Sequence, residues 1–98
     1  MNQIIIKEIN GFKLFFHENE PLFKEEEENK NNLIQGWIKI HQRKYINRKY
    51  TSYRIKHLCE RELGFYVSNA DIKYNMAMLN IEGIPSECCY NYYYPFKE

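Results

Sequence analysis

Thr51-Ser-Tyr-Arg-Ile-Lys-His-Leu-Cys-Glu-Arg-Glu-Leu-Gly64 carries the clearest local signals in the chain. Thr51 or Ser52 offers a hydroxyl to the first free backbone N–H groups of a helix. Ile55, Leu58, Cys59 and Glu62 recur at three- and four-residue spacing, with Leu63 beside them, so one face is largely apolar. Gly64 tolerates the left-handed conformation in which helices end. The spacing predicts a helix over 51–63. Downstream, Phe65-Tyr66-Val67 reads as a short extended link. Ser68 or Asn69 then caps a third helix over about 70–81, with Asp71 favoured by the dipole in its first turn and Ile72, Met76 and Leu79 as its buried stripe. Gly83 and Pro85 stop it. Upstream, Leu33, Ile34, Trp37, Ile38, His41 and Tyr45 predict a helix over 33–46, capped by Asn31 or Asn32 and weakened slightly by Gly36. Residues 47–50 read as a polar link.

The two ends of the chain have a different period. Residues 3–9 and 12–16 flank Asn10-Gly11, the dipeptide that accepts positive φ at both positions of a two-residue hairpin turn. Ile4, Ile6, Phe12, Leu14 and Phe16 are the expected apolar face. Residues 88–94 read as a last strand, with Tyr90, Tyr92 and Tyr94 on one side, Tyr93 on the other, and Cys88 and Cys89 alternating across it. The tyrosines are expected in the core, because a chain of 98 residues has little apolar area to spare. Residues 18–32 are acidic and Asn-rich, with Pro21 and the run Glu25 to Glu28. They read as a solvated loop or helix start, or as an arm that covers the basic block described below. The expected fold is therefore α+β, a single domain over 1–98. An N-terminal hairpin, three helices and a C-terminal strand form it, the strand pairing with the hairpin in a small antiparallel sheet packed on helices.

Composition excludes several classes. Hydrophobic residues make up 44% of the chain, too many for a disordered tail. The Ile4–Ile6 run is interrupted at once by Lys7 and Glu8, so it lacks the apolar core of a secretory leader, and no stretch approaches a membrane span. Three cysteines, two of them adjacent, make a poor disulfide framework and point to a reducing cytoplasm. His57 and Cys59 with Cys88-Cys89 lack the spacing of a zinc site, because neighbouring thiolates are poorly placed to chelate one ion. Neither a metal nor any other cofactor is expected, and Cys59 reads as a buried apolar residue.

Charge points to partners. Residues 1–32 hold four Lys against seven Glu, and residues 67–98 two Lys against four acids. Residues 33–66 hold eight Lys or Arg against Glu60 and Glu62, a net of +6. This block interleaves Arg43, Lys44, Tyr45, Arg48, Lys49, Tyr50, Tyr53, Arg54, Lys56, His57 and Arg61. Clustered cations displace counterions from phosphates, and tyrosines stack on bases or fill a protein contact. Arg54, Lys56, His57 and Arg61 fall off the apolar stripe of the second helix and are expected to be exposed. The second and third helices also outline a helix-turn-helix, although Lys73 is the third helix's only base. His41, Arg43, His57 and Glu60 can be drawn as a metal-independent ribonuclease, but no spacing supports it. There is no phosphate-binding Gly-rich loop, paired-carboxylate motif or nucleophile elbow, and a non-enzymatic protein is expected.

One resemblance adds context. Thr51-Ser-Tyr-Arg-Ile-Lys-His-Leu-Cys-Glu60, then Gly64-Phe-Tyr-Val-Ser-Asn69 and Ala77-Met-Leu79, resembles small proteins of phages, prophages and mobile elements. These carry Ser-Tyr-x-x-Lys-His-x-x-Glu followed by Gly-x-Tyr-Val-Ser-Asn. The likeness covers about residues 37–94, with an Asn-Tyr-x-Tyr echo at Asn91 to Tyr94, and carries over no catalytic residue. It implies an inhibitor of host defence, of which anti-CRISPR proteins are examples, or a DNA-binding regulator. The leading expectation is a phage-type inhibitor or adaptor in the cytoplasm of a bacterial host. It would dock its basic, Tyr-rich helical surface on a nucleoprotein complex such as a CRISPR effector. The alternatives are a helix-turn-helix regulator on DNA and a small ribonuclease toxin. Neither a membrane nor a small-molecule substrate is an expected partner.

Overall fold

A computed structural model describes residues 3–98. Asn10 and Gly11 take φ of 51° and 87°, as a type I′ turn requires, and join strand β1 (Ile4–Ile9) to β2 (Phe12–His17). A two-residue turn leaves no freedom of register, so pairing runs from Ile9↔Phe12 out to Ile4↔His17. Directly opposed residues share a face. Ile5, Lys7 and Ile9 therefore lie with Phe16, Leu14 and Phe12, whereas Ile4 and Ile6 lie with His17 and Phe15. Leu14 and Phe16 are buried as expected, but Ile4 and Ile6 face outward, Ile6 at 60% exposure.

Helix α1 spans Glu28–His41, starting and ending about five residues before the predicted bounds. Glu27 at its cap position makes no side-chain cap bond, and Asn31 is buried inside the helix instead of capping it. The chain then extends into β3 (Gln42–Thr51), so the predicted end of the first helix and the predicted polar link are one strand. Its partner is β5 (Tyr92–Phe96), with Gln42↔Phe96, Asn47↔Tyr94 and Thr51↔Tyr93 in register. Five residues of β3 pass while β5 advances two, and four more while it advances one, so β3 bulges twice.

Helix α2 (Ser52–Leu63) has the expected ends. Thr51 Oγ1 accepts from the Arg54 N–H at 3.2 Å, and Gly64, at φ 80°, donates its N–H to the Glu60 carbonyl at 2.9 Å. Helix α3 (Asn69–Met78) begins with a capping box. Ser68 Oγ accepts from the Asp71 N–H and Asp71 Oδ2 accepts from the Ser68 N–H, both at 2.9 Å. Every residue from Ala70 to Ala77 is buried, which makes α3 the central helix. A two-residue strand β4 (Ile84–Pro85) completes a sheet of order β3-β5-β4.

The class is α+β, with three helices and two small antiparallel sheets among the described residues. The final strand joins β3 and β4, not the hairpin. It starts at Tyr92, four residues later than predicted. Tyr92, Tyr94 and Phe96 point into the core and Tyr93 away from it, while Cys88 and Cys89 sit exposed in the preceding turn, Cys89 at φ 72°.

The acidic segment is tied to the core. Phe23 stacks on Tyr74 at 4.5 Å, and Glu20 pairs with the fully buried Lys73 at 3.2 Å. Glu27 meets Lys24 and Lys30, and none of the ion pairs among the described residues joins Glu25–Glu28 to the basic block. No helix among the described residues is long and apolar enough to cross a membrane.

Candidate nucleic-acid and partner interface

The basic block divides into two adjoining surfaces. The first is β3, an edge strand whose outer side faces no other strand. Arg43, Lys44, Tyr45, Arg48 and Lys49 are all exposed on it. The first bulge lifts residues 43–46 out of the ladder. Tyr45 is consequently 74% exposed with the Lys44 ammonium 5.6 Å from its ring centre, and Ile40 at the end of α1 is 75% exposed. Arg48 lies over the Tyr93 ring at 5.1 Å. Tyr50 departs from expectation. It is buried against Phe96 and contributes no contact area.

The second surface is the outer face of α2. Arg54, His57 and Arg61 are exposed and fall at i, i+3 and i+7, one stripe of a 3.6-residue helix. Arg54 joins this stripe to β3 by donating to the Lys49 carbonyl at 3.0 Å and covering Tyr50 at 4.7 Å. Lys56 is the second departure. Its side chain is nearly buried and its ammonium sits 3.2 Å from Glu60 Oε1. Partial burial alone would raise the Glu60 carboxyl; the Val67 N–H and Lys56 outweigh that and hold it below its ordinary value. Of the eight Lys and Arg in residues 33–66, Lys39, Arg43, Lys44, Arg48, Lys49 and Arg61 make no ion pair among the described residues.

The alternative readings fare differently. A recognition helix must enter a groove, yet α3 is buried along its length, and α1 and α2 are separated by a strand. Along Ala70–Ala77, α3 offers a groove no exposed face. For the ribonuclease, His41 meets Glu62 (3.9 Å) while His57 meets Glu60 (3.5 Å). Those two carboxylates lie about 200° apart around α2, so the histidines sit on opposite sides of the helix and share no reacting position. His57 and Cys59 diverge by the same angle; Cys59 is buried in the core, where desolvation pushes its thiol up to about 12.

Beside the α2 stripe lies an open cleft of about 430 Å³, within the range of small-molecule sites. Tyr53 and Lys56 come to it from α2, Tyr66 and Asn69 from the α2–α3 link and helix start, and Tyr90 and Asn91 from the turn before β5. His17 and Glu20 close its far side. Tyr53 and Tyr66 are 54% and 56% exposed and flank the Lys56 ammonium at 5.8 and 5.3 Å. Of these residues Tyr53 and Lys56 were expected from sequence to meet a partner, whereas Tyr90 was expected in the core and instead lies half-buried at the cleft, in the turn before β5. The others belong to elements far apart along the chain.

Compared with models of protein families, with curated proteins and with solved structures, the chain finds no match.

Proposed function

We propose that this protein is a non-enzymatic inhibitor or adaptor that lays the β3–α2 surface on the nucleic acid of a host nucleoprotein complex. One observation carries the reading: six cations without carboxylate partners among the described residues project from one bulged edge strand and its flanking helices, next to an exposed tyrosine. Phosphates satisfy such cations and release counterions as they do so. The placement of both His–Glu pairs supports binding in preference to hydrolysis. A phage-borne antagonist of a defence complex, such as a CRISPR effector, is the setting that fits this reading and the sequence resemblance.

The test is fluorescence anisotropy with a labelled single strand and its duplex across a salt series. Binding is expected to weaken steeply with salt. Arg48→Glu with Arg61→Glu is expected to weaken it further and to flatten the salt slope by about 0.7 per lost contact on a single strand. Failure to bind either form at low salt, or binding indifferent to salt and to these substitutions, would overturn the proposal.

A further inference from the structure

We infer that the cleft beside α2 receives an unstacked base of a single strand whose phosphates lie on the Arg54–His57–Arg61 stripe. This rests on the nucleic-acid reading above and adds the ligand class of one pocket to it. Four features of the cleft fit a base. Its walls are the rings of Tyr53, Tyr66 and Tyr90, and a ring face held in water is a stacking platform for any base. Lys56 gives one of its three donors to Glu60 and keeps the others for ring nitrogens or carbonyl oxygens of a base.

The third feature is the amide pair Asn69–Asn91, joined by a single bond of 2.8 Å. Asn69 Oδ1, shut off from solvent at the cleft wall, has no hydrogen-bond partner among the described residues. Turning both amides over exchanges donor for acceptor but still leaves one polar atom of Asn69 unmet. The bond to Asn91 is the amide's one hydrogen bond among the described residues, and a primary amide matches the adjacent donor and acceptor of a base edge. The fourth feature is position. The Tyr53 ring meets His57 edge-on at 4.6 Å, so cleft and cationic stripe share a border. On the helix, Tyr53, His57 and Arg61 follow one another at four-residue steps from the cleft to the stripe. A nucleotide at that border has its base and its phosphate provided for by different residues of one helix.

The experiment compares a labelled oligo-dA strand with an abasic strand of equal length, which keeps the phosphates and lacks the bases. The wild-type chain is expected to bind the oligo-dA strand about tenfold more tightly, the order that base stacking on one tyrosine supplies. Tyr66→Ala is expected to remove most of that preference without changing affinity for the abasic strand. Tyr66→Phe, which keeps the ring, is expected to restore it. Equal binding of both strands by the wild-type chain, or a preference untouched in Tyr53→Ala and Tyr66→Ala, overturns the cleft inference and leaves the proposed function standing. A chain that binds neither strand overturns both readings and leaves the cleft to a protein side chain. Because both tyrosines are more than half exposed, loss of folding is not the expected result, and an unchanged thermal melt verifies it.

Discussion

Replacing Lys73 by Met tests the centre of the fold. The Lys73 ammonium donates to the Phe15 carbonyl at 3.0 Å, the Tyr90 carbonyl at 2.7 Å and Glu20 Oε2 at 3.2 Å, and lies 4.2 Å from the Phe16 ring centre. All three donors are used, and one side chain ties β2, the acidic segment and the turn before β5 to α3. Methionine fills the space and leaves two carbonyls and a carboxylate without that donor. Breaking a buried pair from one side costs about 3–5 kcal/mol. The lower end is expected, since Glu20 keeps the His17 N–H and borders the open cleft. Urea unfolding should report this as a midpoint lowered by about 2 M for an m-value near 1.5 kcal/mol/M. Burial lowers the Lys73 amine to about 8 from 10.5, Glu20 opposing. The unfolded chain therefore binds more protons between those values, and this residue's contribution to stability rises with pH there. Between pH 7 and 9 the wild-type chain is expected to gain about 1 kcal/mol on Lys73→Met, because other groups titrate alike in both. A loss under 1 kcal/mol at pH 7 would refute the assignment of Lys73 as a buried tie, and a gap that narrows toward pH 9 would refute the lowering of its amine by burial.

Other outcomes follow from local geometry. A Cβ on Gly83 would lie 2.6 Å from Tyr94 Cε1 and 2.9 Å from the Tyr93 carbonyl oxygen, so Gly83→Ala is expected to cost about 1–3 kcal/mol in thermal or urea unfolding. Gly36, mid-helix with nothing near its Cβ position, gives the opposite sign: Gly36→Ala should stabilise by about 0.5–1 kcal/mol in the same assay. Partial burial would raise the Cys88 thiol, but the Ser86 hydroxyl and the backbone N–H groups of Asn91 and Tyr90 hold it below its ordinary value. Iodoacetamide at neutral pH is expected to modify Cys88 before Cys89, and Cys59 only on unfolding, as read by peptide mass. Lys44→Glu with Lys49→Glu should leave the size-exclusion profile of the chain unchanged while reducing oligonucleotide affinity at least tenfold, about 1.4 kcal/mol.

What was legible in the sequence is what neighbours along the chain decide. Both ends of α2 were readable because Thr51 and Gly64 act on atoms within four residues. The hairpin turn was readable for the same reason. Its register was too, since paired positions in a two-residue hairpin around Asn10-Gly11 sum to 21, placing Ile4 opposite His17. Placing Ile4 and Ile6 with Phe12 overlooked that constraint. The start of α1 left no trace, because no side chain caps it. β3 was hidden because Tyr45 continues the helical spacing of Trp37, Ile38 and His41 in α1; the strand exists because β5, some fifty residues on, supplies its hydrogen bonds. α3 inverts the usual pattern. Asp71, Lys73 and Asn75 are buried along with the apolar residues; Lys73 is satisfied by Phe15 and Glu20, Asn75 by Asn31, and Asp71 by nearby Ser68 and by Lys30. Lys73, read from sequence only as the third helix's one base, is the most buried charge in the core. The cleft was only partly visible, yet Tyr53, Lys56, Tyr66, Asn69 and Asn91 all fall in the stretches that carry the sequence resemblance.

A charged edge strand has a use that needs no partner, because Lys and Arg on an open edge deter pairing with another chain. That use depends on charge and not on its sign. It also gains nothing from Tyr45 or Ile40, large apolar groups held almost wholly in water beside the same cations. Bulges serve deterrence too, since they twist an edge away from a would-be partner, and β3 bulges twice over its ten residues. The bulges also carry Arg43, Lys44 and Tyr45 beyond the ladder. Edge protection thus accounts for the charges and the shape. What it leaves over is the exposed tyrosine and the single sign of the charges, which the proposed contact with an anion would explain, and reversing the charge, not merely removing it, separates the two.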